Sequence, residues 1–166
     1  LKVGNPFEPD TIVGPLVDEN AAIKTENWVN EAVQNGAKIL IGGKRNGTFY
    51  EPTILVDVKP EMKVSCQEVF APVVTLEKYN SFEEAIDKVN NSRYGLQAGV
   101  FTNDIRKIFY AFEKIDVGGV IINDYPTYRI DHMPYGGVKD SGFGREGLRY
   151  AIEEMTEVKL MVLNFT

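Results

Sequence analysis

Apolar residues recur with two periods along the chain and predict alternating helices and strands. From Asp18, an N-cap residue type, apolar positions follow helical spacing until Gly36 ends the run. Further helices are predicted from the capping box Ser81-Phe82-Glu83-Glu84, from Asp104 and after Arg145. Short apolar stretches predict strands at residues 38–41, 49–57, 73–79, 99–101, 118–123 and 158–165. Helices alternating with short strands indicate an α/β fold with a mainly parallel sheet covered by helices.

Composition and charge narrow the classes of partner. The chain has 166 residues, of which 43% are hydrophobic and 25% charged, as is typical of globular proteins. A net charge of −6 disfavours nucleic acid and anionic membrane as partners. The longest apolar run, residues 117–122, falls short of the ~20 residues of a membrane helix. The single cysteine, Cys66, cannot form an internal disulfide, so we expect a reducing, cytoplasmic setting.

The stretch from Met133 to Gly147 holds the densest glycine pattern and precedes a predicted helix. Glycines permit positive φ and a close approach of another chain segment or a ligand. Because a helix N-terminus has free N–H groups, phosphate binding is one interpretation and a tight chain crossing is the other. The spacing G-G-x-x-x-x-G-x-G fits neither the dinucleotide fingerprint nor the Walker loop, which favours the chain crossing.

Four stretches, in order, carry a family resemblance. They are Gly14-Pro15-Leu16, Gln67-Glu68-Val69-Phe70-Ala71-Pro72, Asn91-Ser92-Arg93-Tyr94-Gly95-Leu96 and the signature from Pro134 to Glu146, P-Y-G-G-V-K-D-S-G-F-G-R-E. They resemble the V-G-P-L, E-E-x-F-G-P, N-x-x-x-Y-G-L and P-F-G-G-x-K-x-S-G-x-G-R-E segments of NAD(P)-dependent aldehyde dehydrogenases. The resemblance covers the whole chain but only the last third of a family member. Since the chain begins with Leu1, we expect that an upstream portion has been removed.

The resemblance implies a domain division and an assembly. Residues 1–156 would be part of the catalytic domain, and residues 157–166 an oligomerisation strand that joins the sheet of a neighbouring subunit in a homodimer or homotetramer. The alternative for this strand is the edge of the chain's own sheet.

The resemblance also implies the oxidation of an aldehyde to a carboxylic acid with NAD or NADP. A cysteine thiolate attacks the carbonyl, a hydride leaves to the cofactor, and a glutamate-activated water hydrolyses the thioester. Neither that cysteine, nor that base, nor the dinucleotide-binding domain matches any residue here. We therefore expect no catalytic residue and no metal site in these 166 residues, and no activity of the isolated chain.

Glu68 and Phe70 are the candidate cofactor contacts. A carboxylate can accept hydrogen bonds from a diol, and a phenyl ring can form a flat apolar wall. From the residues alone, a solvated acid beside a core aromatic is the alternative. The resemblance implies that Glu68 binds the nicotinamide ribose hydroxyls and that Phe70 packs near the nicotinamide ring. Ala71 stands where the family usually has glycine, so we expect a slightly different loop shape.

The loop from Asp124 to Met133 would line the substrate entrance, with the aromatic ring of Tyr135 facing the tunnel. Arg129 and His132 are candidate anchors for an anionic or hydroxylated aldehyde, because guanidinium binds carboxylate or phosphate bidentately. The alternative is that Arg129 pairs with Asp131 or points to solvent. The sequence from Tyr128 to Gly137 resembles that of family members that act on lactaldehyde or on small phosphorylated aldehydes.

Two further interpretations stay open. In the first, Cys66 is the nucleophile of a stand-alone enzyme and His132 its base, although a free cysteine is more often a small buried hydrophobe. In the second, the chain is a non-enzymatic oligomerisation module.

Overall fold

The computed structural model describes residues 1–165, and its contacts divide the chain into two units, one from Leu1 to Lys78 and one from Tyr79 onward. Each unit has its own hydrophobic core. None of the helices among residues 1–165 is long and apolar enough to cross a membrane.

The first unit combines one long helix with a three-stranded sheet. Its elements are α1 Glu19–Gln34, β1 Lys38–Ile41, β2 Arg45–Asn46, β3 Phe49–Tyr50, β4 Thr53–Val56, α2 Lys63–Cys66 and β5 Val73–Thr75. The sheet has the order β1-β4-β5, in which β1 is antiparallel and β5 parallel to β4. Strands β2 and β3 form a separate hairpin through Gly47, whose φ is 58°.

Helix α1 forms where the sequence predicts it. The Asp18 carboxylate accepts a hydrogen bond from the Ala21 N–H, and Gly36 ends the segment with a φ of 108°. The buried face of the helix consists of Ala22, Thr25, Val29 and Ala32. Val29 and Ala32 of this face, together with residues of β3, β4 and α2, build the first core, whose fully buried members include Tyr50 and Leu55.

The second unit contains α3 Phe82–Asn90, β6 Tyr94–Gly95, β7 Gln97–Val100, α4 Ile105–Lys114, β8 Gly119–Ile122, β9 Val138–Lys139 and α5 Leu148–Glu154. Strands β7 and β8 are parallel, and β6 and β9 are antiparallel. Its core consists of Ile86, Val100, Ala111 and Ile115.

The predicted α/β class is confirmed, and the strand pairing is mixed. Two strand pairs, β4–β5 and β7–β8, are parallel and three are antiparallel. The strand predicted at 49–57 is interrupted at Pro52, which has no N–H to donate to a ladder. The strand predicted at 73–79 ends at Thr75, and the one-turn helix α2 was not predicted because four residues show no period.

Two helix predictions need correction in detail. At α3, the Ser81 hydroxyl accepts from the Glu84 N–H as a capping box requires, but the Glu84 carboxylate accepts from the Asn80 N–H, one residue earlier than predicted. At α4, the helical spacing of Ile105, Ile108, Phe109, Phe112 and Ile115 predicts a buried stripe, but Phe109 and Phe112 are 60% and 69% exposed.

The C-terminal segment forms no strand up to residue 165. Its large apolar side chains stand exposed, namely Val158, Leu160, Met161, Val162, Leu163 and Phe165. The described part of the chain therefore does not show this segment as an edge strand of its own sheets.

Candidate functional site

The loop of residues 67–72 is held at both ends by backbone hydrogen bonds. The Gln67 N–H donates to the Lys63 carbonyl at 3.0 Å, which ties the loop to α2. The Pro72 carbonyl accepts from the Thr53 N–H at 2.8 Å, which ties it to β4. These two hydrogen bonds hold both ends of the loop in place, and Glu68 and Phe70 lie between them.

Phe70 occupies a strained backbone conformation at the surface. Its φ is 53°, in the left-handed region that a bulky side chain rarely adopts, and its side chain is 80% exposed. Such strain persists only where the surroundings impose it, and it clusters at functional sites. Ala71 is not among the described residues with positive φ, so an alanine in place of glycine costs no strain at that position.

Glu68 lies two residues before Phe70 and is exposed. Within residues 1–165 its carboxylate has no hydrogen bond or ion pair, so both oxygens can accept from a ligand. Phe70 is exposed as well, so its ring is not part of a core within residues 1–165.

In the second unit, Arg129 is engaged by three neighbours. One guanidinium nitrogen, Nη2, lies 3.1 Å from Glu146 Oε2, and the other, Nη1, lies 3.4 Å from Asp131 Oδ1. The Arg129 Cζ atom lies 5.3 Å from the centre of the Tyr135 ring, a cation–π distance. The sequence-based alternative of an Arg129–Asp131 pair is therefore present, with Glu146 as an additional and closer partner.

Tyr135 and Glu146 are placed by a backbone bridge. The Tyr135 N–H donates to the Glu146 carbonyl at 3.2 Å, and the Glu146 N–H donates to the Tyr135 carbonyl at 2.6 Å. The backbones of the two residues that contact the Arg129 guanidinium are thus fixed relative to each other, and the Asp131 side chain is 99% exposed. His132 is exposed and makes no hydrogen bond with the rest of the described chain.

The glycine-rich signature is a tight chain crossing. The Gly136 carbonyl lies so close to Gly118 that there is no room for a Cβ atom on residue 118. Arg145 Nη1 donates to the carbonyls of Gly137 and Gly144 at 2.9 and 2.7 Å. The Ser141 hydroxyl accepts from the Gly95 N–H at 2.9 Å. The glycines and polar groups of the signature are used to join chain segments, which favours crossing over phosphate binding.

Cys66 ends α2 and is half-buried. Its Sγ atom donates to the Glu61 carbonyl at 3.5 Å. The only histidine of the chain, His132, belongs to the other unit. No group of three His, Cys, Asp or Glu side chains within residues 1–165 is arranged to hold a metal ion.

Residues 1–161 match the model of the aldehyde dehydrogenase family. The chain belongs to the aldehyde dehydrogenase family. This match confirms the predicted resemblance. Within this chain, the aldehyde dehydrogenase signature from Pro134 to Glu146 forms the chain crossing described above.

Among its relatives, the 3-sulfolactaldehyde dehydrogenase of Priestia aryabhattai is 56% identical over 164 residues, which make up 99% of this chain and 34% of the relative. The lactaldehyde dehydrogenase of Methanococcus aeolicus is 44% identical over 164 residues, 99% of this chain and 35% of the relative. The chain thus spans about a third of the length of the curated relatives it matches.

Solved aldehyde dehydrogenases share its fold. Aldehyde dehydrogenase 21 from Physcomitrella patens, in complex with the reaction product succinate, has a TM-score of 0.95 and 54% identity, covering 98% of this chain and 34% of that structure. Glyceraldehyde-3-phosphate dehydrogenase from Methanocaldococcus jannaschii, complexed with NADP, has a TM-score of 0.89 and 45% identity, covering 96% and 34%.

Sequence reasoning missed a polar network that supports this aldehyde dehydrogenase signature. Lys139 Nζ donates to the Asn90 carbonyl at 3.0 Å and lies 3.4 Å from Asp116 Oδ2. The Asn90 amide oxygen accepts from the Asp116 N–H at 2.8 Å. These residues come from three separate segments, so no local pattern could have pointed to them.

Proposed function

We propose that the full-length protein to which this chain belongs oxidises a short anionic aldehyde to the carboxylic acid, with NAD or NADP as the hydride acceptor. Family membership over residues 1–161 carries the reaction class. The names of the relatives support a short substrate: they include 3-sulfolactaldehyde, lactaldehyde and glyceraldehyde 3-phosphate, and one solved neighbour holds succinate as its product.

In this proposal, Glu68 and Phe70 hold the nicotinamide half of the cofactor. The exposed carboxylate, which has no partner within residues 1–165, accepts hydrogen bonds from the ribose hydroxyls, and the exposed ring provides an apolar surface for a planar group. The strained backbone at Phe70 supports this role, since the hydrogen bonds at both ends of the loop hold the ring in place before a ligand binds. The cofactor itself supplies the acceptor for the hydride.

In the second unit, Arg129 recognises the anionic end of the aldehyde. The guanidinium is oriented by Glu146 and by the Tyr135 ring, while its contact with Asp131 is long and solvent-exposed. A carboxylate, sulfonate or phosphate can replace Asp131 at Nη1 without disturbing the Glu146 pair. His132, exposed in the same loop, serves as a further donor to a charged or hydroxylated substrate.

We further propose that the full-length protein is a cytoplasmic homo-oligomer in which residues 157–166 form the oligomerisation strand. The exposed apolar side chains of residues 158–165 support the oligomerisation role. The isolated 166 residues are inactive, because no residue here matches the family's nucleophile or general base.

The test is aldehyde-dependent NAD(P)H formation by the full-length enzyme and by the isolated chain. We expect turnover only from the full-length enzyme. In it, Glu68→Gln raises KM for the cofactor about tenfold, because one hydrogen-bonded charge is lost, and leaves KM for the aldehyde unchanged. Glu61→Gln, which changes another exposed acid of the same unit, is the matched control.

For substrate recognition, Arg129→Met should raise KM for a semialdehyde that carries a carboxylate more than tenfold and leave KM for propionaldehyde within about twofold. Turnover by the isolated chain would contradict the proposal that the nucleophile lies outside it. Normal oligomerisation together with unchanged cofactor binding in Glu68→Gln would instead favour the oligomerisation module.

A further inference from the structure

Two residues of strand β7 and the residue that follows the strand contact the loop that leads to Arg129. Gln97 and Gly99 are two residues apart and share a face of β7, and Phe101 comes directly after its last residue, Val100. Gln97 Nε2 donates to the Tyr128 carbonyl at 3.0 Å, and the Phe101 ring meets the Tyr125 ring edge-on, with centroids 5.8 Å apart. Gly99 lies under the loop between them. We refer to Gln97, Gly99 and Phe101 as the loop bed.

Gly99 makes room for these contacts. A Cβ atom on Gly99 would stand 2.8 Å from the Asp124 carbonyl oxygen and 3.2 Å from Pro126 Cδ, so any side chain there would push the loop away. Gly119 is the register partner of Gln97 on the neighbouring strand β8. A Cβ atom on Gly119 would lie 3.4 Å from the Gln97 amide nitrogen, so the Gln97 side chain packs closely over Gly119 as it extends to the Tyr128 carbonyl.

The start of the loop is fixed as well. Asn123 follows β8 with a left-handed φ of 57°, a conformation that asparagine tolerates better than most residues. Its Oδ1 atom accepts from the Thr102 N–H at 2.8 Å. The direction in which the loop leaves the sheet is therefore fixed, and the loop then packs against the loop bed.

We propose that Gln97 is a positioning residue for Arg129. Gln97 holds the carbonyl of the peptide bond that joins Tyr128 to Arg129, so it fixes the main chain at the point where the Arg129 side chain begins. At its other end, the guanidinium contacts Glu146 and the Tyr135 ring, whose backbones are joined by the bridge. An arginine held at both ends loses less conformational freedom when it binds an anion, and the substrate specificity of the loop thereby depends on strand β7.

This proposal rests on the proposed function of Arg129 and is tested in the full-length enzyme with Gln97→Leu, which keeps a side chain of similar bulk and removes the donor. We expect KM for the carboxylate-bearing semialdehyde to rise about tenfold, with kcat and the KM for propionaldehyde within about twofold. Amide hydrogen exchange in residues 124–133 should become faster. Gln97→Lys restores a donor and should return both quantities towards those of the native enzyme.

Unchanged hydrogen exchange in residues 124–133 of Gln97→Leu would overturn the positioning role. An equal rise in KM for both aldehydes would overturn it too, since it would indicate a general distortion. If Arg129→Met leaves the semialdehyde KM unchanged, the anion-binding role of Arg129 fails, whereas hydrogen exchange still decides whether Gln97 holds the loop.

Discussion

Gly118 and Gly136 cross so closely that the Gly136 carbonyl occupies the place where residue 118 would carry a Cβ atom. The contact joins the segment before β8 to the glycine-rich signature, and it involves backbone on both sides. Neither segment can move away easily, because Gly118 also donates its N–H to the Gly95 carbonyl at 3.0 Å.

Gly118→Ala should therefore destabilise the protein by more than about 3 kcal/mol, since the added methyl group collides with backbone rather than with a flexible side chain. Urea denaturation, or the soluble yield if the variant does not fold, measures the effect. Gly14→Ala is the control, because a Cβ atom there meets only ordinary contacts at 3.9 Å. Equal stability of the two variants would refute the crossing.

The Asp18 cap of α1 should contribute about 1 kcal/mol to the free energy of unfolding. Its carboxylate accepts from the Ala21 N–H at 2.7 Å, so Asp18→Ala leaves that N–H without its partner. Asp18→Asn keeps a side-chain acceptor and should retain most of the stability. Denaturant midpoints of the three proteins test this, and an Asn variant as unstable as the Ala variant would argue against capping.

The strain at Phe70 predicts an unusual order of stabilities. Phe70→Gly should be more stable than Phe70→Ala by about 1 kcal/mol, because only glycine adopts the left-handed conformation without cost. At Val69, which has no positive φ, the order should be reversed. Thermal unfolding of the four variants measures both differences. Both Phe70 variants should also weaken cofactor use, since each removes the ring.

The carboxyl group of Glu84 should titrate well below its ordinary range. Hydrogen bonds from the Lys88 ammonium and from the Asn80 N–H lower the pKa of Glu84 from 4.5 to about 2. Since the pKa is depressed in the folded state, the associated stability is present above pH 4.5 and is lost as the pH falls towards 2. The stability difference between the native protein and Glu84→Gln should therefore shrink over that interval.

Carbon-detected NMR titration gives the Glu84 pKa directly, and Lys88→Met should raise it. A pKa that does not respond to Lys88→Met would show that the i,i+4 pair at the surface of α3 does not persist in solution.

Cys66→Ser should leave the activity of the full-length enzyme within about twofold of the native value. The Cys66 thiol donates to the Glu61 carbonyl, five positions earlier in the chain, a role that a hydroxyl group can fill. Steady-state assays with the same aldehydes test this expectation. Loss of turnover in Cys66→Ser, with an unchanged thermal midpoint, would support the alternative that Cys66 is a nucleophile.

The sequence by itself determined the features that depend on near neighbours. The bounds of α1 follow from Asp18 and Gly36, because capping and termination involve residues within four positions of the helix end. The family could likewise be recognised from short motifs in a fixed order, and the match over residues 1–161 confirmed it.

Only the tertiary structure decided which residues the side chains of those motifs contact. Lys139 donates a hydrogen bond to the Asn90 carbonyl, 49 positions away, and Arg129 donates to the Glu146 carboxylate, 17 positions away. No periodicity or local spacing predicts either contact. The burial of helix faces was decided in the same way, since Phe109 and Phe112 have the helical spacing of core residues and yet stand exposed. A pattern states which side chains share a face, but the neighbours that cover that face come from distant segments, and their positions are set by packing.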